Sequence, residues 1–142
     1  MGGGVHLDLI HEMDYCIWIF GFPNKVYSNK RSVSSLNIAS VDSAIFILEY
    51  ETFNVNIKLN YYRVDPKREI EILMSHETIV GDLLNNSLKS LNSNKVIYSN
   101  KYKIMDTYFE QMKYFLLKIK SEEQLMNDFT EATSILKLSL NE

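Results

Sequence analysis

The opening of the chain distributes apolar and polar side chains with the period of an α-helix. At about 100° per residue, six apolar side chains share one broad face, and they are Leu9, Ile10, Met13, Cys16, Ile17 and Phe20. Gly21 and Pro23 follow, and these residue types commonly end a helix. The pattern predicts a helix from about Val5 to Phe20. Its opposite face carries Asp8, His11, Tyr15 and Trp18, with Asp14 at the edge.

The middle of the chain has the two-residue period of β-strands. The link Glu51-Thr52-Phe53 separates two alternating runs and is predicted to be a hairpin turn. A second turn is predicted at His76-Glu77. One-sided alternation at short spacing is typical of an antiparallel sheet with one buried face. The predicted strands lie within 25–35, in two runs within 42–62, within 68–74 and 78–83, and as one or two strands within 88–98.

The last third of the chain returns to a helical period. One helix is predicted from about Asp106 to Lys120, with Asp106 or Thr107 as its cap, and another from about Phe129 to Leu140, with Asp128 or Thr130 as its cap. No Pro/Gly-rich linker divides the sequence, so residues 1–142 are predicted to form a single domain. The expected class is α+β, with an open, mainly antiparallel sheet covered on one face by an N-terminal helix and two C-terminal helices.

Composition narrows the functional classes. The 142 residues are 46% apolar and 23% charged with a net charge of −3, which argues against a nucleic-acid binder, since such proteins present a basic face. No apolar run approaches the roughly 20 residues that cross a bilayer, and no signal peptide is recognisable at the N-terminus. The single cysteine, Cys16, is predicted to be buried and inert. A reducing, cytoplasmic location is therefore expected.

Three polar residues on the first helix are the main candidates for chemistry. Asp8 and His11 are three residues apart, as are His11 and Asp14, so their side chains share one surface of a helix. A histidine beside a carboxylate is suited to proton transfer near neutral pH, as the oxidation of an alcohol requires. The same spacing is typical of an ordinary solvated helix face, which on spacing alone is the favoured interpretation. His6 is expected to be packed, His76 to be exposed, and no metal site is predicted.

The segment Gly2-Gly3-Gly4-Val5-His6-Leu7-Asp8-Leu9-Ile10-His11-Glu12-Met13-Asp14, closed by Trp18-Ile19-Phe20-Gly21, resembles the start of the C-terminal domain of Gfo/Idh/MocA oxidoreductases. Looser similarities lie at Asp42-Ser43-Ala44, at Asn60-Tyr61-Tyr62-Arg63 and from Tyr108 to Ile119. Many family members have three residues between the Asp and the His, whereas this chain has two. That difference moves Asp8 by one helical position relative to His11.

The resemblance implies an NAD- or NADP-dependent enzyme acting on a hydroxyl of a sugar, a sugar nucleotide or a cyclitol. It implies His11 as the proton-transfer residue and Asp8 as its catalytic partner at a substrate hydroxyl. Asp14, which would also orient His11, and Tyr15 are implied in substrate binding. Arg63 is a candidate for a distal anionic group, although strand-end charges of this kind are more often simply solvated.

Neither a Gly-x-Gly-x-x-Gly fingerprint in a βαβ unit nor a Glu-Lys-Pro tripeptide is found, so the dinucleotide-binding domain and the catalytic lysine are expected to lie outside this chain. No cofactor is then expected on this chain alone, and whether it is an enzyme by itself is left open. A homo-oligomer formed through the sheet face is expected from the family. The alternative is a stand-alone oligomerisation or binding module without catalysis.

Overall fold

The computed structural model describes residues 3–121, 123 and 125–142. Within them the chain is α+β with antiparallel strand pairing throughout, as predicted. Two compact units are present: the first comprises residues up to 64 together with 126–142, and the second comprises residues 65–125. The elements are α1 (Val5–Asp8), α2 (His11–Phe20), β1 (Lys25–Arg31), β2 (Ser43–Glu49), β3 (Asn54–Asn60), β4 (Glu69–Leu73), β5 (Thr78–Asp82), β6 (Ser87–Ser90), β7 (Lys95–Ser99), α3 (Ile104–Ser121) and α4 (Phe129–Leu140).

The first unit is built on a three-stranded sheet with the order β1-β2-β3. Alternate side chains of β2 point to opposite faces, so that Ala44, Phe46 and Leu48 are buried while Ile45 and Ile47 are partly exposed on the other face. The predicted hairpin turn joins β2 to β3, and the Tyr50 N–H donates to the carbonyl of Phe53 at 3.0 Å.

The helices of the first unit complete the core on the inner face of this sheet. Val5 comes from α1, Cys16 and Ile17 from α2, and Ile135 from α4, and each is at most 3% exposed. They pack with the inner residues of β2 and β3 into one apolar cluster. Burial of these side chains supplies most of the stabilisation, since a fully buried aliphatic side chain contributes about 1.5–3 kcal/mol.

The prediction of one continuous helix from Val5 to Phe20 is wrong at its centre. α1 ends at Asp8 and α2 begins at His11, and a turn at Leu9–Ile10 joins them. The Val5 N–H donates to the carbonyl of Val41 at 2.8 Å, which fixes α1 to the segment before β2, whereas α2 is fixed by its own buried face. At this turn the regular helical hydrogen bonds are interrupted, since the N–H groups of Ile10 and Glu12 donate only three residues back, to Leu7 and Leu9.

A buried carboxylate organises the connection from β1 to β2. Asp42 is 1% exposed and accepts the backbone N–H groups of Val33 and Ser34, each at 2.9 Å, and the Ser34 hydroxyl at 2.5 Å. These hydrogen bonds hold the pKa of Asp42 below its usual value. The Asp42 carbonyl in turn accepts the N–H of Tyr61 at 3.0 Å, which holds Tyr61, the residue after β3, beside Asp42.

The second unit has its own four-stranded sheet, with the order β4-β5-β6-β7, and the helix α3. The strands are therefore divided between two sheets, whereas the sequence predicted one. None of the described side chains of α3 is buried, so of the two C-terminal helices only α4 contributes a buried residue to the core of the first unit. α3 begins two residues earlier than predicted, so Asp106 and Thr107 lie in its first turn, where the Asp106 carboxylate accepts the N–H of Lys103 at 2.8 Å. The predicted bounds of α4 are confirmed, and of the two predicted caps it is Asp128, not Thr130, that caps the helix by accepting the Glu131 N–H at 2.8 Å.

Candidate functional site

His11 lies at the first position of α2, and its side chain is about half exposed. Its Nε2 lies 3.1 Å from Oε1 of Glu12, whose side chain is only 12% exposed. Glu12, rather than Asp14, is thus the carboxylate in contact with the imidazole. Glu12 was not among the site residues predicted from the sequence, because adjacent residues on a regular helix do not face each other. At the first turn of a helix that follows a break, this pair meets.

Asp8 is exposed at the end of α1 and accepts a hydrogen bond from the Tyr61 hydroxyl at Oδ2. Burial and this hydrogen bond to the carboxylate raise the pKa of Tyr61 to about 12. Tyr61 was not among the predicted site residues either. The alternation of β3 places it on the inner face, but only the tertiary fold brings a residue after β3 to the end of α1.

Asp14 and Tyr15 lie one helical turn after His11 on α2 and face the start of α4. The Asn127 side-chain amide donates to Oδ1 of Asp14 at 2.8 Å. A cleft of about 210 Å³ is lined there by Asp14, Tyr15, Trp18, Met126, Asn127 and Glu131. Asp14 and Tyr15 therefore line this cleft one helical turn after His11, whereas His11 and Glu12 are not among its lining residues.

Arg63 lies in the exposed segment after β3, where its backbone N–H donates to Oδ1 of Asn60 at 2.9 Å. This position agrees with a charged residue at a strand end. Its predicted role toward an anionic group stays a prediction.

Two ionisable groups beneath the site are buried, as predicted for both. His6 is 7% exposed, and its Nδ1 has no hydrogen-bond partner among the described residues. Burial lowers the pKa of His6, nearby Lys30 lowers it further, and Asp8 opposes both effects. Cys16 is 3% exposed, and burial, assisted by the charge of Glu12, raises its pKa to about 11. A thiol with this pKa is a poor nucleophile at neutral pH.

The described residues do not fit a dinucleotide cradle of the βαβ type. Every strand pair in this part of the chain is antiparallel, whereas that cradle needs parallel strands with a helical crossover. Across the same residues, no group of three or more His, Cys, Asp and Glu side chains is arranged to hold a metal ion. None of the described helices has the length and apolar character needed to cross a membrane.

Comparison with known proteins gives matches at the level of structure. No protein-family model and no curated protein sequence matches the chain. Two crystal forms of UDP-N-acetylglucosamine 3-dehydrogenase GnnA from Acidithiobacillus ferrooxidans match with TM-scores of 0.78 and 0.76, both at 18% identity, over 96% and 93% of this chain. An oxidoreductase structure from Klebsiella pneumoniae matches with a TM-score of 0.74 and 14% identity over 97% of this chain.

These neighbours are members of the Gfo/Idh/MocA family. The chain spans less than half the length of each, 45%, 43% and 46% in the same order. The chain therefore has the fold of part of an oxidoreductase of this family, and the resemblance seen in the sequence is confirmed for the fold.

Proposed function

We propose that this chain is the substrate-side part of an NAD(P)-dependent oxidoreductase that acts on a hydroxyl of a sugar, a sugar nucleotide or a cyclitol. The fold match to a sugar-nucleotide dehydrogenase supports the class of substrate. In this proposal the dinucleotide, which accepts or donates hydride, is bound outside the described residues. The chain contributes substrate binding and proton transfer, and is inactive without the dinucleotide-binding part. The single cysteine agrees with a cytoplasmic location.

The observation that carries the proposal is the contact of His11 with Glu12. When the imidazole is neutral, an Nε2–H that donates to Glu12 leaves Nδ1 as the nitrogen with a free lone pair. Nδ1 then accepts the hydroxyl proton of the substrate during oxidation and returns it during reduction. The negative carboxylate of Glu12 stabilises the imidazolium formed in between, as in other histidine–carboxylate pairs.

Asp8 is proposed to bind the reacting hydroxyl or its neighbour. Tyr61 engages Oδ2 of Asp8, which fixes the carboxylate and leaves Oδ1 as the oxygen offered to the substrate. Asp14 and Tyr15 are proposed to bind another part of the substrate, because they lie at the cleft beside α4. Arg63 is proposed to contact a distal phosphate or carboxylate.

The test is reduction of NAD or NADP by the natural polypeptide that carries this chain, with a panel of sugars, cyclitols and sugar nucleotides. His11→Gln is expected to lower kcat by about 100-fold or more, the usual contribution of a general base. Glu12→Gln is expected to lower kcat, because the imidazolium formed during proton transfer loses its negative partner. His76→Gln is the matched control, because His76 is an exposed histidine in the second unit. A His11→Gln enzyme that keeps kcat within twofold of the parent would contradict the proposed role.

A titration of the 142-residue chain with NADH and NADPH tests where the dinucleotide binds. We expect no saturable binding. Micromolar binding by the chain alone would contradict the proposal that the dinucleotide is held elsewhere.

The alternative is a non-catalytic oligomerisation or binding module. It is favoured by the outer face of the three-stranded sheet, where Tyr27, Ile45 and Ile47 are 51%, 42% and 39% exposed. Such a face is suited to a two-fold contact between copies. Sedimentation of the chain and of Ile47→Lys tests this contact, because the substitution is expected to dissociate an oligomer formed through that face. An oligomer is expected for the enzyme as well, so the module is distinguished by the absence of dehydrogenase activity in the natural polypeptide.

A further inference from the structure

The cleft between α2 and the start of α4 combines side chains that the proposed proton transfer does not use. Trp18 lies one helical turn after Asp14, and its ring is 64% exposed. Met126, Asn127 and Glu131 form the opposite wall. Both walls belong to the first unit. Asp128 caps the start of α4, and Ile135 of the same helix is buried in the core. These two contacts hold in place the wall that α4 forms.

The chemistry of this lining suits one uncharged sugar ring. The electron-rich face of an aromatic ring attracts the weakly positive C–H groups of a pyranose. Carboxylates accept hydrogen bonds from its hydroxyls, and amides both accept and donate them. The six lining residues include two carboxylates and no lysine or arginine, so a diphosphate is disfavoured. A volume of about 210 Å³ is below the roughly 300–1,000 Å³ of sites for drug-sized ligands.

We propose that this cleft binds a single pyranose ring, with Trp18 as its stacking platform and with Asp14, Asn127 and Glu131 as its hydroxyl ligands. The inference rests on the proposed function, since it assigns the sugar part of the substrate to the cleft. The Asn127 amide orients Asp14 through the 2.8 Å hydrogen bond to Oδ1, which leaves Oδ2 for the ligand. Within the described residues, no hydrogen-bond or ion-pair partner occupies the Glu131 carboxylate, which is therefore the second acceptor.

The sequence supplies a probe, because Trp18 is its only tryptophan. The 142-residue chain is titrated with methyl β-D-glucopyranoside and with methyl N-acetyl-β-D-glucosaminide while Trp18 emission is followed. No dinucleotide is added, so the readout does not depend on redox activity. We expect a saturable emission change with a dissociation constant on the order of 1 mM, the range for a ligand of about a dozen heavy atoms.

Saturation-transfer NMR of the same glycosides extends the test to variants without tryptophan. Trp18→Ala and Glu131→Gln are each expected to weaken binding about tenfold. Phe22→Ala, at a half-exposed aromatic outside the cleft, and Glu51→Gln, at an exposed carboxylate beyond β2, are the matched controls and are expected to bind as the parent does. Circular dichroism confirms that each variant is folded.

Three results would overturn the inference. The first is the absence of binding at a glycoside concentration ten times the expected dissociation constant. The second is binding that survives both Trp18→Ala and Glu131→Gln. The third is an emission change produced by uridine diphosphate but not by the glycosides, which would assign the cleft to the anionic part of the ligand. If the glycosides bind but the natural polypeptide has no dehydrogenase activity, the proposed function is contradicted. The cleft then remains a sugar site.

Discussion

The packing of α4 on the first unit gives the sharpest test of the fold around the site. Ile135 is 2% exposed, whereas its neighbour Leu136 is 41% exposed. Changing either residue to alanine removes three carbon atoms. At about 0.8 kcal/mol per buried carbon, the transfer loss at Ile135 is about 2.4 kcal/mol, and the cavity left behind brings the total to about 3–4 kcal/mol. At Leu136 the loss is expected to be about 1 kcal/mol, because much of the side chain stays in water.

Urea unfolding followed by Trp18 emission measures this difference in the unit that contains α4. For an m-value of about 2 kcal/mol/M, Ile135→Ala is expected to lower the midpoint by about 1.5–2 M and Leu136→Ala by about 0.5 M. The two variants carry nearly the same change in composition, so Leu136→Ala controls for helix propensity. Equal shifts, or a larger shift for Leu136→Ala, would show that the buried face of α4 is assigned wrongly.

Two further predictions concern buried ionisable groups. Cys16, with its pKa raised to about 11, is expected to react with a thiol reagent at pH 8 only after unfolding, and rapid labelling of the native chain would contradict its burial. For His6 the pKa is lowered by burial, so the unfolded chain binds the proton more readily than the folded chain. The stability that His6 contributes is therefore present above about pH 6.5 and is lost as pH falls from there toward the lower folded pKa. The free energy of unfolding of the parent is expected to decrease from pH 7 to pH 5 more steeply than that of His6→Gln, and equal slopes would refute this assignment.

Much of the local structure was predictable from the sequence. The alternation of apolar and polar residues in 42–62 was sufficient to predict β2, β3 and their turn, because a strand in a sheet with one buried face requires that period. The helix from Phe129 to Leu140 and its Asp128 cap followed from an apolar stripe and a capping residue type. Gly21 ends α2 at a backbone φ of +77°, as its position after the apolar stripe predicted.

The site was predictable only in part. His11, Asp8 and Asp14 were recognised as one polar face, but helical spacing predicted neither the contact of His11 with Glu12 nor the hydrogen bond from Asn127 to Asp14. Asn127 is more than a hundred residues from Asp14 in the chain, so no local pattern relates them. Tyr61 and Asp8 are 53 residues apart, and no local pattern relates them either.

The sequence by itself determined the class of the fold, because hydrophobic periodicity records which side of each element is buried. It also determined the likeness to the oxidoreductase domain. Only the tertiary structure decided the break between α1 and α2, the division of the strands into two sheets and the choice of partner for each polar side chain. These features depend on contacts between elements distant in the chain, where the free energy of packing outweighs the preferences of any single segment.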